Sequence, residues 1–236
     1  MKWLRTLLLF HKDNVISDSG WDAIHKSFVR SIESIDFPEG SGKLTLRKKT
    51  KDPISNQWNR NGVGYLRNRF LKHMVNDEGW QAEGEVGLQQ KQPDLILYPS
   101  MEPYQEQITS EFGDFDFVTT TKSGARVAIE WETGNISSSH RSLNKLSILL
   151  SENIIQAGVL ILPSRNLYEH LTDRIGNIGE LSPYLDMWKS TGNSVRKGLL
   201  AIVVVEHDEL TDDPDFPYLK MGNDGRSAEG KKKRKG

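Results

Sequence analysis

The chain has 236 residues and no cysteine, which allows one sizeable core and excludes disulfide stapling and thiolate metal sites. Its 31 basic and 32 acidic residues leave a net charge of −1, so it is not a uniformly basic nucleic-acid binder, although cations sorted onto one face would still suit such a partner. No apolar run is long enough to span a bilayer, residues 7–10 are too short for a signal-peptide core, and the absence of cysteine fits a reducing, cytoplasmic compartment.

Leu4, Leu7, Leu8 and Leu9 open the chain as a strand or short helix, and residues 17–20 break it. Residues 21–35 place Ile24, Phe28, Ile32 and Ile35 at helical spacing, and the stretch around Pro38 and Gly40 ends that helix. Residues 44–46 predict a short strand running into Arg47, Lys48 and Lys49, and the polar stretch 50–62 reads as a loop. Residues 65–74 read as a helix bearing Arg67, Arg69 and Lys72, cations that suit either a solvated face or phosphates. Residues 80–86 predict a strand entering the centre of the fold. The proline-rich stretch 89–105 follows, with Asp94 as a competing acid.

Residues 114–118 and 126–132 both alternate polar and apolar side chains, the period of a strand, and residues 121–124 can turn the chain between them. An antiparallel hairpin centred near Ser123 sets Asp116 opposite Glu130. Glu130 and Glu132, two apart, share a face, while Val127, Ile129 and Trp131 turn to the core. Carboxylates crowded this way repel unless something compensates, and a divalent cation with oxygen ligands does so. The plainer alternative makes Glu130 and Glu132 the wet face of an ordinary strand.

Residues 133–135 break the strand, and Ser137, Ser138 or Ser139 is placed to cap a helix that runs to about Leu150 with Leu143, Leu146 and Leu150 on its packed side. The same helix, through its leucines, is the expected dimer interface. Residues 157–162 and 199–205 are continuously apolar, as buried strands are, and 165–171 and 180–188 read as helices between them. The order predicts an α/β fold with a central mixed sheet flanked by helices. Residues 1–226 form one expected domain, and the basic 227–236 a disordered tail.

The hairpin chemistry suits phosphodiester hydrolysis. Asp116 and Glu130 are candidate ligands for Mg²⁺, the carbonyl of Trp131 adds a further oxygen, and Glu132 can bind metal or accept a proton from water. Glu83 could reach the cluster from a neighbouring strand. His140 is more readily structural than catalytic. Residues 135–141, with an amide, hydroxyls and Arg141, suit base recognition just downstream.

The run from Glu130 to Lys145, EWETGNISSSHRSLNK, closely resembles the central motif of the BamHI type II restriction endonucleases. Residues 61–63, 79–83, 171–174, 180–184 and 222–225 match the same family in order. The resemblance implies a restriction-endonuclease-like fold, the PD-(D/E)xK superfamily core with a Glu-x-Glu variant. It implies a homodimer, dependent on Mg²⁺, that cuts double-stranded DNA at the six-base palindrome GGATCC and leaves four-base 5′ overhangs. It puts Asp116, Glu130 and Glu132 at catalytic positions and Glu83 at the accessory acidic one. Asn135, Ser137, Arg141, Asp173 and Arg174 fall at base-reading positions, and Gly222 and Asp224 in a C-terminal arm. The chain departs from the family in a longer stretch across 87–113, in Arg67 where a lysine is expected, and in its short basic tail. The rival readings are a structure-specific or repair nuclease, which would cut unrelated duplexes at comparable rates, and a non-catalytic DNA-binding module, which should lack the carboxylates.

Overall fold

The leucines at the start of the chain lie in an 11-residue strand, β1 (Lys2–Lys12). Helix α1 (Ser19–Glu33) follows, capped by Asp18, which accepts the Gly20 N–H at 2.7 Å. These are coordinates of a computed structural model, which describes residues 1–84, 86, 94–108, 113–121, 123–172 and 175–220, the side chain of Glu83 apart. Expectations placed on Asp173, Arg174, Gly222, Asp224 and the tail lie outside the described residues.

Strand β2 (Thr45–Arg47) leads into the stretch expected as loop, which instead folds as a hairpin of β3 (Thr50–Lys51) and β4 (Trp58–Asn59). The cause is local. The Asp52 carboxylate accepts the N–H groups of Ile54 and Ser55 at 3.0 and 2.6 Å and so ties the turn. The chain continues through α2 (Gly64–Asn76), β5 (Ala82–Gly84) and a separate ribbon of β6 (Leu95–Ile96) and β7 (Pro103–Tyr104). Then come β8 (Phe115–Thr120), β9 (Arg126–Trp131), α3 (Ile136–Ser151) and β10 (Ala157–Pro163). Short α4 (Arg165–Tyr168), α5 (Ile178–Leu181) and α6 (Leu185–Thr191) lead to β11 (Gly198–Glu206) and β12 (Glu209–Thr211).

Six strands form one mixed sheet in the order β1-β11-β10-β9-β8-β5, in which β9, β10 and β11 are parallel and the remaining pairings antiparallel. Helices cover both faces. On one, Ile129, Trp131, Val159 and Val203 pack with Phe28 and Ile32 of α1 and Phe70 of α2. On the other, Ala128, Leu160 and Ile202 pack with Leu143 and Leu146 of α3 and Trp188 of α6. This double burial is why β10 and β11 carry apolar side chains without alternation.

Two further expectations change. The strand expected to enter the centre of the fold, β5, lies at the edge of the sheet beside β8. The leucines of α3, expected at a dimer interface, are spent in the core, with Leu143 and Leu146 fully buried. Among the described residues no helix is long and apolar enough to cross a membrane.

Candidate functional site

The β8–β9 turn closes through the Thr121 N–H to Ala125 O at 2.7 Å, and Gly124 takes the positive φ of 86° that such a tight turn demands. Phe117 pairs with Ile129, so the register carries Asp116 opposite Glu130. On the other side, Ala82 pairs with Phe117 and Gly84 with Phe115, which sets Glu83 opposite Asp116. Glu83, Asp116 and Glu130 therefore stand in one row across three adjacent strands. The close approach of β5 requires Gly84, since a Cβ there would lie 2.5 Å from Val118 Cβ.

Asp116 is buried and fully engaged. One oxygen accepts the Trp131 N–H at 2.7 Å and the other the Arg67 guanidinium, reaching in from α2. The N–H and C=O of one strand residue point to the same edge, so the Trp131 carbonyl looks toward the Asp116 side. Glu130 Oε1 accepts from Lys145 Nζ at 3.1 Å; that ammonium also donates to Asp114 O at 3.2 Å and lies 4.1 Å from the centre of the Phe115 ring. Glu132 sits just past the end of β9. Its N–H donates to Ile161 O at 2.8 Å, its Oε1 accepts the Gly134 N–H at 2.6 Å, and its Oε2 is buried without a hydrogen-bond partner.

Burial is the main force on the two glutamates. It raises the pKa of Glu130, with Asp116 adding to the rise and Lys145 opposing it. It pushes Glu132 up to about 7, against the Ser139 hydroxyl and the Gly134 N–H. The folded value of Glu132 lies above its ordinary 4.5, so this carboxyl's contribution to stability is full below pH 4.5 and is lost as pH rises through about 7. Glu132→Gln stays neutral at every pH. In metal-free protein its unfolding free energy should gain on that of the wild type by about 2–3 kcal/mol between pH 5 and 8, read from urea midpoints. A gap that stays constant with pH would return the carboxyl to its ordinary range.

Asp116 and Glu130 thus pair with Arg67 and Lys145, and Arg141 stands near Glu132. Among the described residues no three Asp, Glu or His side chains converge in a metal-binding group, because Asp116 and Glu130 are turned to these cations. The donor set nevertheless fits a hard divalent cation: it is all oxygen, and Glu132 Oε2 is buried without a partner.

The rim of this cluster is the N-terminus of α3. Asn135 caps it by accepting the Ser138 N–H at 3.2 Å, in place of the serine expected there. Ser137 and Arg141 are exposed beside it, and Arg141 lies close enough to Glu132 to favour its charged form. The Gly176 N–H donates to Gly134 O at 3.0 Å, which brings the chain just after 173–174 against this rim. His140 packs between Tyr184 and Trp188, with ring centres 4.6 and 5.0 Å away, and serves the core. Asp94 is exposed ahead of the β6–β7 ribbon, which is outside the six-stranded sheet. The three cations of α2 separate: Arg67 enters the site, Arg69 pairs with Asp36 and Glu39 at 2.8 and 2.5 Å, and Lys72 stays exposed. Lys145 escaped the sequence reading. Its only signal was a lysine set between the core leucines 143 and 146.

The sequence model of one protein family, Restriction endonuclease BamHI, matches residues 1–226. The type II restriction enzyme OkrAI of Oceanobacter kriegii is 35% identical over 197 residues, covering 84% of this chain and 85% of that enzyme. The type II restriction enzyme BamHI of Bacillus amyloliquefaciens is 34% identical over 108 residues, 46% of each chain. Among solved structures, restriction endonuclease BGLII complexed with a DNA 16-mer superposes with a TM-score of 0.50 at 11% identity, over 94% of this chain and 88% of that one. That last likeness concerns the fold, which is restriction-endonuclease-like.

Proposed function

This chain belongs to the BamHI restriction endonuclease family, a group of DNA-cleaving enzymes, and from that premise we propose that it is a Mg²⁺-dependent homodimer that cuts double-stranded DNA at GGATCC and leaves four-base 5′ overhangs. The observation that supports the reading is the register that sets Asp116 opposite Glu130, with Glu132 just past the end of β9 and beside the N-terminus of α3. Residues 1–226 act as one catalytic and DNA-binding unit, and 227–236 as a basic tail.

Asp116, Glu130 and the Trp131 carbonyl would hold the ion, with Glu83 next to them in the same row. Mg²⁺, when bound, polarises the phosphoryl oxygen and makes the attacking water more acidic. Glu132 receives the water's proton on Oε2. Its pKa near 7 suits a base working at neutral pH, and its other oxygen is anchored by the Gly134 N–H. Arg67 and Lys145 hold Asp116 and Glu130 in place until the site is loaded. Asn135, Ser137, Arg141, Asp173 and Arg174 read bases in the major groove, the arginines through the paired acceptors of guanine. Gly222 and Asp224 belong to an arm that follows the DNA.

The deciding experiment is digestion of a long DNA of known sequence with Mg²⁺, followed by sequencing of the fragment ends. Ends that all fall within one palindrome at a fixed offset are expected. Comparable cutting of unrelated duplexes would make the chain a nuclease without base readout. A palindrome has two scissile phosphates related by a two-fold axis, and one subunit has one carboxylate cluster, so sedimentation on the cognate duplex should give two chains per DNA. A strict monomer there would remove the dimer from the reading.

A further inference from the structure

The β3–β4 hairpin gathers cations around one exposed indole. Trp58 is 48% exposed, and around its ring stand Lys49 Nζ at 5.6 Å, Lys51 Nζ at 6.0 Å and the Arg60 guanidinium at 5.9 Å. Beside them Arg47 stacks on Tyr218 at 4.7 Å, and Lys48 is paired with Asp212 at 2.7 Å. The acid within the hairpin, Asp52, is spent on the turn, where it accepts two N–H groups and the Ser55 hydroxyl. An exposed indole attracts each cation only weakly, while the Lys49 and Lys51 ammoniums on one ring repel each other. A polyanion laid across them relieves that repulsion.

The base of the hairpin is held where such a polyanion would run. The Asn61 N–H donates to His170 O at 3.0 Å and the Thr172 N–H to Asn61 O at 2.8 Å. The Leu219 N–H donates to Asn61 Oδ1 at 3.2 Å, and the Gly62 N–H to Leu219 O at 2.9 Å. One of these neighbours runs directly into Asp173 and Arg174, the other toward Gly222 and Asp224. Val63 and Leu66, just past the hairpin, share the wall of a small apolar cavity with Leu171, Ile175 and Glu132. The hairpin therefore rises from the edge of the cleavage site, clamped between two segments that approach DNA in the reading above.

We propose that the β3–β4 hairpin is a second DNA contact, in which Lys49 and Lys51, steered by Trp58, neutralise phosphates outside the recognition bases. This rests on the reading of the chain as an enzyme of duplex DNA. Binding is measured in Ca²⁺ for wild-type protein and the K49A/K51A double variant, both full length, on cognate duplexes with short and long flanks at several salt concentrations. The wild type should bind the long-flank duplex more tightly. The variant should lose that gain, its slope of log K against log salt should be shallower by about 2, and its preference for cognate over single-mismatch duplex should be unchanged. A variant with the wild-type flank gain and salt slope overturns the proposal, and so does a wild type indifferent to flank length; in either case the hairpin's cations serve another partner or only solvation. The two readings fail separately. Site-specific cleavage with an unchanged slope sinks the hairpin contact alone. Unselective cleavage with the slope still shallower sinks the site-specific reading and leaves the hairpin as a DNA contact.

Discussion

Glu130→Gln should lower cleavage by roughly 10³-fold or more while leaving cognate binding in Ca²⁺ within a few-fold of wild type. The carboxylate lies between Asp116 and Lys145 in the row that would hold the ion, and glutamine keeps its shape but not its charge. The choice of glutamine over alanine matters. Lys145 is only 7% exposed, and Glu130→Ala would strand its ammonium with just the Asp114 carbonyl and the Phe115 ring, at a cost of about 3–5 kcal/mol. An alanine variant that fails to cut could simply be unfolded; a glutamine variant with a normal melting curve could not. Full activity in folded Glu130→Gln protein would remove Glu130 from the reaction.

Asp116→Ala should lose cleavage to a similar degree and, unlike Glu130→Gln, stability as well. Its carboxylate ties the Trp131 N–H at 2.7 Å and meets Arg67. Arg67 is one-third exposed and can turn to water, but the Trp131 N–H is left buried and unpaired, which costs about 1–3 kcal/mol on top of the lost ion pair. Denaturant unfolding of Asp116→Ala beside Asp94→Ala is the test. Asp94 is exposed outside the main sheet, so its alanine variant should match wild type in stability and in cutting. If Asp94→Ala stops cleavage and Asp116→Ala does not, the acids have been assigned the wrong way round.

The difference between these two aspartates was readable in the sequence because it is local. Alternation over 114–118 and 126–132, with Gly124 between, fixes a register, and a register fixes which acids face each other. Apolar runs as long as 199–205 likewise announce a strand covered on both faces. What the pattern does not carry is partners that arrive from other elements. Arg67 meets Asp116 across 49 residues, and nothing in the spacing of Arg67, Arg69 and Lys72 says which one turns inward. Lys145 was hidden differently, as a charge inside a leucine stripe whose purpose depends on the strand that α3 covers. The helix cap went to Asn135 over three adjacent serines because its position relative to the first turn, rather than its residue type, decides the competition. The hairpin at 50–59 was missed because its turn is made by one aspartate and its strands are two residues each, too short for any period to show.

The Gly176 N–H holds Gly134 O at 3.0 Å, and the Gly134 N–H holds Glu132 Oε1 at 2.6 Å. Two residues before Gly176 comes the pair assigned to reading bases. Those two hydrogen bonds join Glu132 to the segment that carries the proposed base-reading pair. If Asp173 and Arg174 read bases as proposed, a mismatch that shifted them would displace Gly176 and, through Gly134, the anchored oxygen of Glu132. An enzyme coupled in this way would pause on a near-match rather than cut it. Its fidelity would exceed what the difference in binding affinity alone supplies, and a cell carrying it would be spared breaks at the many sites that differ from the target by one letter.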